Sequence, residues 1–193
     1  MNHEEVYRLM KENREKKRGH ADYFTWPLNR DQEEGGVVNR LLQSLEEIGA
    51  NDLEGISIRG RGEDPPDCEA IDKAGARVAV EVTEFVDSEA IIAARKKEFY
   101  LRENEWSKAE YLIELKRLLE NKANKKDKLL GAPYSGGYRV LVFCDEPELN
   151  SQNVSEFINS EVFDVDGKID RAYFLLSYEP SAGGCPVFEL SLK

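Results

Sequence analysis

PPDCEAIDKAGARVAVEVTEF, residues 65–85, reads as a hairpin that sets two acids, Asp67 and Glu81, across from each other. Lys73-Ala74-Gly75 fits a three-residue hairpin loop, a type I turn followed by a left-handed residue, the position that glycine takes without steric cost. Residues 72 and 76 then pair. Counting outward sets 71 against 77, 69 against 79 and Asp67 against Glu81, with their Cβ atoms about 4.5–5.5 Å apart. Alternation sends Cys68, Ala70, Val78, Val80 and Val82 to one face, an apolar set, and Asp67, Glu69, Arg77, Glu81 and Thr83 to the other. The second face is acidic.

Like charges directly opposite one another destabilise a strand pair, so Asp67 and Glu81 call for a cation between them. Arg77, or Arg59 and Arg61 from the preceding strand, can supply it as a salt bridge. A hard divalent ion is another solution, since Mg²⁺ is held by one or two carboxylates, keeps several waters and leaves room for a substrate phosphate. A third reading is a plain solvated face, on which acids need no partner. The sequence leaves all three open.

Outward from the hairpin, Val38, Leu41, Leu42, Leu45 and Ile48 recur at helical spacing until Gly49 stops them, and GISIRGRG (55–62) reads as a strand. Residues 88–130 read as two helices with a joint near 104–107, the second burying Tyr111, Leu112, Leu115, Leu118 and Leu119. YRVLVFCDEP (138–147) is a continuous apolar run, hence a central strand buried on both faces. A short helix near Val154–Ile158 follows, and 171–193 holds a final strand pair joined by SAGG. A charged helix is expected at 3–18, ahead of the core. With 193 residues the chain reads as one domain, 1–193, of α/β class with a mixed central sheet flanked by helices.

Composition narrows the function. A net charge of -11 argues against a surface that grips nucleic acid everywhere, so any such role needs a local basic patch. The richest is KRLLENKANKKDK (116–128), with Lys116, Arg117, Lys122, Lys125, Lys126 and Lys128; the plainer reading is a solvent-facing helix end. Three cysteines, Cys68, Cys144 and Cys185, sit in apolar runs and read as buried thiols of a reducing compartment. Without a signal-like or membrane-length apolar segment, the expected location is cytoplasmic. His3 and His20 are the sole histidines, and zinc-ligand spacings and nucleotide-binding glycine loops are missing, which turns attention back to the carboxylates.

PPD at 65–67, thirteen intervening residues, then Glu81-Val82-Thr83, with helix and strand on either side, resembles the PD-(D/E)XK nuclease superfamily across roughly residues 30–145. The resemblance implies a restriction-endonuclease-like core and a metal-dependent phosphodiesterase acting on DNA or RNA. It makes Asp67 and Glu81 ligands of Mg²⁺ or Mn²⁺, with Glu34 (or Glu33) as an added acid from the first core helix, where an acid in a helix's first turn is equally ordinary. Thr83 stands where the motif has a lysine. Its hydroxyl can hold a water but carries no positive charge, so the resemblance also implies a relocated lysine, Lys96 or Lys97, on the helix after the hairpin. The alternative is a catalytically inactive domain of the same fold that serves as a binding or interaction module.

Overall fold

The computed structural model describes residues 30–193 except 61, 97, 99, 101 and 103. The expected helix at 3–18, Arg61 and Lys97 lie outside the described residues. Helix α1 (Arg30–Glu47) leads to strand β1 (Leu53–Ile58) and the hairpin β2 (Cys68–Asp72) and β3 (Arg77–Phe85). Helices α2 (Ser88–Lys96) and α3 (Lys108–Ala123) carry the chain to β4 (Tyr138–Cys144); α4 (Ser151–Ile158), β5 (Arg171–Leu176) and β6 (Val187–Leu190) complete it. The strands lie in sequence order in one mixed sheet, parallel between β3, β4 and β5 and antiparallel elsewhere. Among the described residues no helix is long and apolar enough to cross a membrane. The three cysteines are buried and in the thiol form.

The hairpin has the expected turn. The carboxylate of Asp72 accepts from the amides of Ala74 and Ala76, its carbonyl accepts from Gly75, and Gly75 takes φ +82. The register follows: Cys68 faces Val80, Glu69 faces Ala79 and Ile71 faces Arg77. Extending it by one residue opposes Asp67 to Glu81. Each face of the sheet is covered. Val37, Val38, Leu41 and Leu45 of α1 pack on the apolar side with Cys68, Ala70, Val78, Val80 and Val82. On the other side α3 lays Tyr111, Leu115, Leu118 and Leu119 over Ala79, Phe85, Val140 and Val142. β4, buried along its length, separates the two layers, as its apolar run from Val140 to Cys144 requires.

One ion pair ties the sheet together from beneath. Arg139, at the start of β4 and 5% exposed, donates from both terminal nitrogens to Asp52 at 2.6 and 2.9 Å, and Arg171 approaches the same carboxylate at 3.3 Å. Asp52→Ala strands the Arg139 guanidinium in the core, and breaking a pair of this kind costs about 3–5 kcal/mol, readable as a lower urea midpoint. The hydrogen bond from Arg139 holds the Asp52 carboxyl below its ordinary value of 3.8. Its contribution is therefore complete above that value and is lost as the pH falls through the lower, folded-state value, so the difference between wild type and Asp52→Asn narrows on acidification.

Candidate functional site

Helix α3 decides the character of the acidic face. Ser107 caps it in a reciprocal capping box with Glu110, and Arg102 bridges Glu110 at 3.0 Å to Asp87, just past β3, at 2.6 Å. The start of the helix is thereby pinned to the end of β3. Its apolar stripe descends across the sheet to Lys122, one turn past Leu118 and Leu119, and Tyr138 donates its hydroxyl to the Lys122 carbonyl at 3.0 Å. Consequently the face is buried: Glu81 is 0% and Asp67 2% exposed. A solvated face is thus ruled out for these two acids, because α3 roofs the strands that carry them.

Lys122 supplies the cation that the facing carboxylates require. Its ammonium contacts Glu81 Oε2 and stands 3.6 Å from Asp67 Oδ2, and Lys125 Nζ reaches Glu81 Oε2 at 3.6 Å. Asp67 Oδ2 also accepts from the Val82 amide at 2.7 Å, which fixes its carboxylate against β3. Burial pushes the Glu81 carboxyl up, with Lys122 opposing the rise and Asp67 adding to it. One oxygen is left over. Glu81 Oε1 is buried and has no hydrogen-bond partner, an arrangement that a neutral or fully paired site would avoid.

A third acid completes the group. Asp64, exposed at the rim on the far side of Pro65-Pro66, brings a carboxylate oxygen to within 4.8 Å of oxygens on Asp67 and Glu81. Three convergent carboxylates, one of which keeps an unpartnered buried oxygen, fit a hard divalent cation, which takes all-oxygen ligands. The set differs from the one the resemblance implied. Glu34 lies on α1, close enough to Cys68 to contribute to a thiol pushed up to about 12, chiefly by burial, and it is not one of the three convergent acids. The side chain of Glu33 lies outside the described residues.

The other expected site residues are placed as follows. Thr83 is half-buried on β3, in register with Val142 and about 7 Å along the strand from Glu81. Lys96 is exposed at the end of α2, and the described cations within 4 Å of the acids are Lys122 and Lys125. The arginines have other work: Arg77 and Arg59 both pair with Glu69, and Tyr134 donates to the same carboxylate at 2.8 Å. The basic run divides. Lys116 and Arg117 lie on the exposed side of α3, Arg117 tied to Glu114, whereas Lys122 and Lys125 turn to the acids and Lys126 to Asp170 at 3.6 Å; Lys128 is exposed.

Compared with family models, curated proteins and solved structures, the chain matches none of them.

Proposed function

We propose that this protein is a metal-dependent phosphodiesterase of the PD-(D/E)XK type, with a restriction-endonuclease-like core and a lysine supplied by α3. The observation that carries the reading is the convergence of Lys122 with Asp67 and Glu81, beside the unpartnered Glu81 Oε1. Asp64, Asp67 and Glu81 would hold Mg²⁺ or Mn²⁺. Such an ion, when bound, polarises a phosphoryl oxygen and lowers the pKa of its water. The chain's own residues supply the remainder. The Val82 amide aims the Asp67 carboxylate, and α3 excludes water, which strengthens every charge interaction inside. Lys122 would take the electrostatic role that Thr83 cannot, offering a positive charge to the scissile phosphate beside the acids that would hold the ion.

A second reading has its own support. The Lys122 ammonium already bridges the two acids, so the site is also a self-contained ion pair, as an inactive binding module would have. Cleavage separates the two. Purified protein in Mn²⁺ or Mg²⁺ is expected to cut DNA or RNA, to stop in excess chelator, and to be inert as Glu81→Gln. A wild type that is inert on single-stranded, double-stranded and structured substrates leaves the module reading in its place.

A further inference from the structure

We infer that the site takes a single strand or a strand end, of DNA or RNA, rather than a duplex; this rests on the phosphodiesterase reading above. Burial supplies the first ground. Of the three converging acids only Asp64 is exposed, while Asp67 and Glu81 lie under α3, so a phosphate must enter beneath the helix to meet them. A duplex is a stiff rod over about 150 base pairs and cannot fold itself into such a recess, whereas a single strand bends at every nucleotide.

The second ground is that the rim is fastened. The Leu130 amide donates to the Pro65 carbonyl at 2.7 Å, stitching the segment after α3 to the Asp64–Pro66 turn. Arg77 extends the stitch, donating to the Gly131 carbonyl at 2.8 Å while pairing with Glu69. Tyr134, under the Arg77 guanidinium, also donates to Glu69. The segment after α3 and the turn that carries Asp64 are thereby bonded to each other and, through Glu69, to β2.

Charge supplies the third. A protein that tracks a duplex spreads cations along many phosphates, but here Lys116 and Arg117 lie on the outer side of α3, and the net charge is -11. Lys122 and Lys125 stand against Glu81 and Lys126 against Asp170, three cations at most and enough only for a short stretch of backbone.

The test compares fluorescein-labelled single-stranded DNA, single-stranded RNA and a blunt duplex of one sequence. Cleavage by wild type in Mn²⁺ is measured beside binding by anisotropy to the Glu81→Gln protein. Single strands of one or both sugars are expected to be cut faster than the duplex by about tenfold for each base-pair step that must open. Their binding should weaken with salt at a slope of about −2, the value for three phosphate contacts on a single strand. A duplex cut or bound as well as the single strands overturns this inference and leaves the phosphodiesterase reading standing. Selective binding of single strands without cleavage supports the inference and removes the catalytic reading. Neither binding nor cleavage of any of the three overturns both.

Discussion

Lys122→Met lowers the stability of the ion-free protein by about 3–5 kcal/mol, the cost of removing one partner from a buried charge cluster. The substitution keeps about the volume and apolar stem of the lysine, so the loss reports the charge. What remains is Asp67 opposite Glu81, two carboxylates beneath a helix with Lys125 as the nearer remaining cation, 3.6 Å from Glu81. Part of the cost is met by proton uptake, because burial already pushes the Glu81 carboxyl up, and removing Lys122 leaves Lys125 alone to oppose the rise. Two further measurements make the assignment specific. Adding Mn²⁺ should recover stability in Lys122→Met more than in wild type, since the ion replaces a missing cation in one and competes with a resident one in the other. Pairing Lys122→Met with Glu81→Leu should restore much of the loss, as replacing a whole buried pair by apolar groups often does. A single variant as stable as wild type means the ammonium is not the counter-ion of these acids.

The second large effect is on turnover. Lys122→Gln is expected to lower kcat by about 10²–10³, the loss typical of removing one preorganised electrostatic group from a reaction centre, with KM little changed. The comparison that decides which lysine serves the site is Lys96→Ala. From its exposed place at the end of α2, this variant should keep wild-type rates. A loss in Lys96→Ala with Lys122→Gln unaffected would return the role to the helix that follows the hairpin.

The two lysines also show how far the sequence could be read. The hairpin was legible residue by residue, because Asp72 and Gly75 prescribe one turn and the turn prescribes the register. The central strand announced itself by seven consecutive buried positions. What the hairpin could not show was its roof. Whether an alternating strand faces water or a helix is settled by tertiary packing, and the acids belong to the same face as Ala79 and Phe85, which α3 covers. A signal for that roof was present. Lys122 continues the buried series Tyr111, Leu115, Leu118 at the same three- and four-residue spacing, so a lysine occupies a core position of the helix. Its place in a run of basic residues made it look like one solvated charge among six. Asp64 was hidden differently: an acid before Pro-Pro reads as turn chemistry, and its approach to Glu81 depends on how that turn folds back toward β3.

Crystals soaked in Mn²⁺ and measured at the manganese edge should show one anomalous peak held by Asp67 and Glu81, with Asp64 as a further ligand and the Lys122 ammonium withdrawn from Glu81. A map without a peak at these carboxylates, with Lys122 still bridging Asp67 and Glu81 at saturating ion, would contradict the proposed metal site.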